Sequence, residues 1–336
     1  MNDKRTPRVA IVADDIGPAH GVPWTLTRLR EHAFPGYVID VVRSEHSVDS
    51  WTLRRPDLVH LGAGGRATDA ARAAARALGL RTVVSHHLAS CPQALGDARV
   101  FLSPGPAADA LLFGHGVAPQ RIARWEPGAC ADTLHPAHYA PDALPQGFTL
   151  LYAGPFAAEH GLDLLVDAVR VARERDPRLH LAVAGEGPAM ERSLRHRLGG
   201  AVTLLGPLTP DRLAEVYATA DLYVAPGTAD LFGQSILEAQ ASGLPVVAVD
   251  GGAATELIDS GRDGCLVPPI PEALAGAIVG LARRSRLCDR LVTGGLVAAR
   301  RRTWERSRTQ LATAYGLALA PPAPLAGPAS EVARAA

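Results

Sequence analysis

The sequence predicts an α/β protein built from two Rossmann-like, doubly wound domains facing each other across a cleft. Three observations carry this. Short β-branched runs alternate with Ala-, Leu- and Arg-rich helical stretches, a pattern that indicates parallel sheets covered on both faces. About ten such runs occur, too many for one small doubly wound domain. Near the middle, "HPAHYAPDALPQG" at residues 135–147 lacks helical period and reads as a linker.

The elements follow in order. The opening "MNDKRTPRVAIVADD" holds an apolar run at 9–13 bounded by acids, which is a first strand and not a secretory signal. Strands at 38–42, 58–61, 81–85 and 100–103 follow, with a helix at 69–78. Past the linker come strands at 149–153, 180–184, 201–205, 222–225 and 246–249. Helices at 162–175, 210–218 and 235–241 lie between them. A last helix at about 303–317 contains Trp304 and follows an Arg run. From Ala320 the chain is rich in Pro and Ala and reads as a disordered tail. The expected division is residues 1–140, 141–302, a helix at 303–318 and a tail at 319–336. No stretch approaches the apolar length of a membrane span.

Composition removes several functions. Of 336 residues 47% are apolar and the formal net charge is zero, so a mainly electrostatic grip on nucleic acid is not expected. Lys4 is the one lysine. A pyridoxal-phosphate enzyme and a P-loop nucleotidase both lose the residue that their chemistry needs. Cys91, Cys130, Cys265 and Cys288 form no Cys-x-x-Cys pair and read as small buried or half-buried thiols of a reducing, cytoplasmic protein, not as zinc ligands.

The chemistry concentrates at "DLFGQSILEAQASGLPVVAVDGG", residues 230–252. Asp230 and Phe232-Gly233 precede a helix that starts near Gln234-Ser235. A helix N-terminus attracts phosphate, and Gly233 lets the backbone approach it closely. Glu238, one turn in, repels phosphate but suits a vicinal diol such as a ribose. Asp230 can accept from sugar hydroxyls beyond the phosphates. Gly251-Gly252 and the "GEGP" turn, with Gly185 and Glu186, follow other strands and add free amides. An acid, an amide nest and a second acid suit a nucleotide sugar. The blander reading is that strand–Gly–helix junctions occur in every doubly wound fold, and a lone acid there is usually a cap.

These stretches resemble a known family. "HGLDLLVDAV", "LHLAVAGEGP", "VTLLGPLTPDRLAEVYATADLYVAPG", "LFGQSILEAQASGLPVVAVDGGAATELI" and "GRDGCLVPP" are similar, in that order, to the carboxyl-terminal domain of retaining glycosyltransferases of family four. That family has the GT-B fold and is of the glycosyl transferases group 1 type. "RVAIVADDIGPAHGVPWTLTRL" and "RIARWEPGACADTLHP" resemble its first strand–loop–helix and its interdomain segment. The resemblance implies a metal-independent enzyme, without a cofactor, that moves a hexose-type sugar from a UDP- or GDP-linked donor to an acceptor hydroxyl. It puts Asp230 on the donor sugar and Glu238 on the nucleotide ribose. It puts Phe232, Gly233, Gln234 and Ser235 by the phosphates, with Gly154, His160, Gly185, Glu186, Gly251 and Gly252 around the donor. It implies Gly21 at the diphosphate and, from His86-His87, assigns His87 to the sugar and acceptor.

The sequence departs from the family pattern in "GPFAAEHG", residues 154–161, where Pro155 and His160 replace the usual Arg and Lys. Pro155 brings neither charge nor backbone donor, and His160 is only partly charged near neutral pH. Cys130 stands where an Asp is common. The lost cations motivate an alternative: a degenerate, non-catalytic transferase-like binding protein. A third reading, an NAD-dependent oxidoreductase, rests on "GAGGRA" at 62–67. The strand after it ends in His86-His87 and not in the acid that a ribose needs. Arg300–302 reads as a solvated helix face, with peripheral contact to anionic lipid as its other use. The acceptor is not encoded in any spacing.

Overall fold

Parallel pairing of near-continuous apolar strands dominates both halves of the chain. The structure, a computed structural model, describes residues 5–12, 34–42, 45–62, 66–85 and 98–321. In the first half, β1 (Arg8–Val12), β2 (Val38–Val42), β3 (Leu58–Leu61), β4 (Arg81–Ser85), β5 (Val100–Ser103) and β6 (Ile122–Arg124) form one sheet. Its order is β2-β1-β3-β4-β5-β6. Helices α1 (Arg66–Ala77) and α2 (Pro106–Gly114) belong to this half. In the second half, β7 (Phe148–Ala153), β8 (Leu179–Ala184), β9 (Val202–Gly206), β10 (Leu222–Ala225), β11 (Val246–Val249) and β12 (Cys265–Val267) form a sheet of order β12-β11-β10-β7-β8-β9. Every pairing described in both sheets is parallel.

The helices of the second half are α3 (Leu162–Arg175), α4 (Pro188–Leu198), α5 (Pro210–Thr219), α6 (Gln234–Ala241), α7 (Ala254–Leu257), α8 (Pro271–Ala282) and α9 (Ser285–Arg301). Helix α3 buries Leu162, Leu165, Val166, Val169 and Ala172. These positions recur at helical period and form one apolar stripe. They share a core cluster with Leu274 and Ile278 of α8. Helix α5 begins at Thr209, whose side chain accepts from the Arg212 amide, 3.4 Å, as an N-cap hydroxyl does.

Each predicted strand is present, within a residue of its expected bounds. Two strands were not anticipated. β6 and β12 are three residues each, sit at sheet edges and are only partly buried. Such segments carry no period long enough to read.

The chain crosses between the halves twice, through residues 125–147 and at 302–303. The crossings touch: the Ala129 amide donates to the Arg302 carbonyl, 2.6 Å. After the second crossing α10 (Trp304–Leu319) lies on the first sheet. Its Tyr315 hydroxyl meets His60 Nδ1 on β3, 2.8 Å. Its Ser307 accepts from the Trp125 indole, 3.0 Å, and its Gln310 accepts from the Glu126 amide, 2.9 Å. One apolar cluster runs through both halves and includes Trp125, Phe232, Trp304 and Tyr315. Separate clusters fill the far faces of the two sheets. Among the described residues no helix is long and apolar enough to cross a membrane. The tail from residue 322, the "AGG" of the turn at 63–65, Gly21, His20, His86, His87 and Cys91 lie outside the described residues.

Candidate nucleotide-sugar site

In the second sheet the chain winds outward from β7 in both directions, so strand order reverses between β7 and β10. Open α/β sheets bind ligands beyond the carboxyl ends of strands at such a point. Four loops emerge there: 154–161 after β7, 185–187 after β8, 226–233 after β10 and 250–253 after β11. Backbone contacts join them into one rim. The Gly154 amide donates to the Ala184 carbonyl, 3.0 Å, and the Phe156 amide to the Glu186 carbonyl, 3.1 Å. The Ala253 amide donates to the Asp230 carbonyl, 2.8 Å. Gly185 shows why the rim needs a glycine. Its φ is +136°, and a Cβ there would lie 2.0 Å from the Gly154 carbonyl oxygen, so any side chain would part the two loops.

Asp230 caps the turn that enters α6. Its Oδ1 accepts from the amides of Phe232, 2.9 Å, and Gly233, 3.0 Å. Its second oxygen makes no hydrogen bond among the described residues, so one carboxylate can hold the turn and still face a ligand. Gly233 is the N-cap of α6, in the left-handed region with φ +68°, and supplies no side-chain cap. The helix therefore begins with bare amides. Phe232 is buried with its ring 5.2 Å from that of Trp125, from the first half. Gln234 is buried too. Its Nε2 donates to the Gly128 carbonyl in the crossing segment, 3.2 Å, and its Oε1 has no hydrogen-bond partner.

Glu238 is 4% exposed. The Tyr217 hydroxyl of α5 donates to its Oε2, 3.0 Å. Burying a carboxylate is costly unless donors meet it, and the tyrosine is such a donor. Burial, reinforced by the charge of Glu238, pushes the Tyr217 phenol well above its ordinary value, so it stays protonated and donating. Tyr223 on β10 is buried beside it, rings 5.7 Å apart, and donates to the Ala153 carbonyl, 3.3 Å. Burial raises this phenol also, and a hydrogen bond with Ser235 partly opposes the rise. Tyr152 donates to the Pro155 carbonyl, 2.8 Å, and is raised mainly by burial. Tyr217 and Tyr223 brace the acid-bearing helix against α5 and the end of β7, and Tyr152 ties down the loop at Pro155. "EVYATADLYVAPG" contains two of them, but nothing in its spacing marks them as partners of an acid fifteen or more residues on.

The sequence-predicted residues thus fall into connected groups. Asp230, Phe232, Gly233, Gln234, Ser235 and Glu238 lie on one loop and helix. Gly251 and Gly252 pack on the 228–230 segment of that loop, and Gly154, Gly185 and Glu186 form the adjoining turns. His160 is half-buried, with its backbone against Gly227, and Pro155 is exposed. None of the four loops carries an Arg or Lys. Among the described residues no cluster of His, Cys, Asp and Glu is suited to a metal ion. The Arg run divides: Arg300 and Arg301 are exposed, whereas the Arg302 guanidinium turns to the Glu256 carbonyl, 3.4 Å.

Comparison with known proteins agrees with this architecture. Residues 147–284 match the family model described as glycosyl transferases group 1. The chain is 30% identical over 248 residues to the GDP-mannose-dependent alpha-mannosyltransferase of Corynebacterium glutamicum, covering 69% of this chain and 57% of that protein. It is 32% identical over 178 residues to the phosphatidyl-myo-inositol mannosyltransferase of Mycobacterium tuberculosis, covering 51% and 47%. The chain spans about half the length of the curated relatives it matches. The structure of Anabaena HepE in complex with UDP-glucose superposes with a TM-score of 0.77 at 16% identity, covering 92% of this chain and 99% of that one; this likeness shows the fold. Over residues 147–284 the chain is thus similar to the glycosyl transferases group 1 family, and it has the GT-B fold.

Proposed function

We propose that the protein is a glycosyltransferase that moves a hexose-type sugar from a UDP- or GDP-linked donor to an acceptor hydroxyl, with retention of configuration and without a metal. The observation that carries this reading is the pairing of Asp230 and Glu238 on either side of the bare α6 N-terminus, at the reversal point of the second sheet. In this reading Glu238, steadied by Tyr217, accepts from the nucleotide ribose. Asp230 accepts from the sugar. The amides at Gln234 and Ser235 meet the phosphates, with Gly233 letting them approach and Gly251 and Gly252 beside them. His160 stands beside them in place of the usual lysine. Gly21 and His87 serve the diphosphate and the acceptor from the first half.

Such a site acts on charge that develops as the donor bond breaks. Preorganised amides stabilise the leaving diphosphate better than water does, because they need not reorient. The relatives' names support a mannosyl or inositol-linked chemistry as the place to begin. The phosphatidyl-myo-inositol and GDP-mannose relatives suggest GDP-mannose as first donor and inositol-bearing acceptors as the first panel.

The test is turnover of GDP-mannose and UDP-glucose in chelator, with the anomeric form of the new bond read by NMR. An α-linked product from an α-linked donor, lost on Glu238→Ala or Asp230→Ala, supports the proposal. A β-linked product overturns retention. A metal requirement overturns metal independence. Donor binding without turnover of any acceptor or of water favours the non-catalytic alternative.

A further inference from the structure

Gly105 has an extended backbone, φ −175° and ψ −178°, which any residue can adopt. The turn therefore does not explain why it is a glycine. The space does: a Cβ on Gly105 would lie 1.4 Å from Oε2 of Glu256 and 2.4 Å from its Cδ. Glu256 belongs to α7 of the second half, and Gly105 is the N-cap of α2 in the first. The missing side chain is filled by a carboxylate from across the molecule.

That carboxylate meets a need of α2. Gly105 supplies no side-chain cap and Pro106 has no amide hydrogen, so Ala107 carries the first free amide of the helix. It donates to Glu256 Oε1, 2.6 Å. A negative charge at a helix N-terminus is favoured by the exposed amides and the helix dipole. Glu256 is tied at its other end to the candidate site. It follows Gly251-Gly252 on the loop whose Ala253 amide binds the Asp230 carbonyl, 2.8 Å. Its own carbonyl accepts from Arg302 in the second crossing, 3.4 Å. A cavity of about 220 Å³ lies beside the contact, lined among others by Arg124, Leu231, Phe232 and Arg302.

We propose that Glu256 is an interdomain positioning residue, a strut that caps α2 across the cleft and, with Gly105 as its receptor, sets how the first half meets the Asp230 loop. The strut stands on the geometry alone; its consequence for turnover rests on the transferase reading above. The two substitutions that break it act by different routes. Glu256→Ala removes the carboxylate, and Gly105→Ala puts a methyl where the carboxylate lies. Once the carboxylate is gone, the methyl has nothing to displace.

The experiment compares the full chain with Glu256→Ala, Glu256→Gln, Gly105→Ala and the double variant Gly105→Ala/Glu256→Ala, by amide exchange over residues 105–113 and by donor kinetics. Glu256→Ala is expected to speed exchange at Ala107 at least tenfold. Glu256→Gln, which keeps an acceptor oxygen, stays within about threefold of the parent. Gly105→Ala matches Glu256→Ala, and the double variant is no worse than either. With turnover, kcat falls severalfold in both single alanine variants while donor KM stays within about twofold, because all but Gly21 of the donor-binding residues belong to the second half. Gly105→Ala with parental exchange, or two effects that multiply, overturns the strut. If even the parent turns over no donor, the transferase reading fails, and the exchange pattern still decides the strut.

Discussion

At the scale of single residues, the account turns on a buried acid and its phenol. Replacing Tyr217 by Phe removes the hydroxyl that meets Glu238 and leaves the carboxylate less well solvated. The cost expected is about 1–3 kcal/mol, the usual penalty for unmaking a buried hydrogen bond to a charged group. Denaturant unfolding measures it, and a loss within about 0.5 kcal/mol would mean that other contacts carry the acid. Asp230 and Glu238 were legible in the sequence because two carboxylates around a glycine and a short apolar helix form a local pattern. What Asp230 does with each oxygen was not legible. Its cap on the Phe232 and Gly233 amides and any role toward a sugar look the same in one dimension. The tyrosines were invisible as site residues for a related reason: a Tyr in an apolar helix or strand reads as core, and here it is both core and brace. Gly105 was unreadable altogether, because its reason lies in Glu256, on the other half.

At the scale of elements, the strands were easy to read and the edges were not. Buried parallel strands such as β8 and β11 are continuous apolar runs, and such runs announce themselves. β6 and β12 are short, half-buried and paired on one side, so their existence depends on the neighbouring strand more than on their own residues. The turns between elements give two predictions. Gly185→Ala forces a side chain into a left-handed conformation and against Gly154; a loss of about 1–3 kcal/mol is expected from backbone strain, seen as a lower thermal midpoint. In the turn between α3 and β8, Arg178 grips Asp176 with two hydrogen bonds, 2.9 and 2.8 Å, and holds its carboxyl down from 3.8 to about 2. A depressed acid stabilises the fold fully above the unfolded value and loses that contribution as pH falls through about 2. The midpoint difference between the parent and Asp176→Asn should therefore be present in full at pH 6 and mostly lost at pH 2. A difference undiminished between pH 6 and pH 2 would assign it to packing.

At the scale of the whole molecule, two halves with separate sheets are held by a shared apolar seam and by α10, which returns to the first sheet. Trp304 stands at this return, 8% exposed, with its indole donating to Cys130 Sγ, 3.0 Å, and its ring against Gly128. Trp304→Ala should cost about 3–5 kcal/mol, as large-to-small changes in a core do, and chemical denaturation checks it; a loss under about 1 kcal/mol would mean that the seam does not depend on this ring. The cleft between the halves is where the central claim lies. It is tested most directly by calorimetric titration of the full chain with UDP, GDP and their sugar conjugates in chelator, beside Glu238→Ala. The account predicts binding to one nucleotide with Kd on the order of micromolar, weakened at least about tenfold by the substitution, the loss of a charge-assisted hydrogen bond. No binding of any nucleotide at millimolar concentration, or equal binding by the variant, would contradict it.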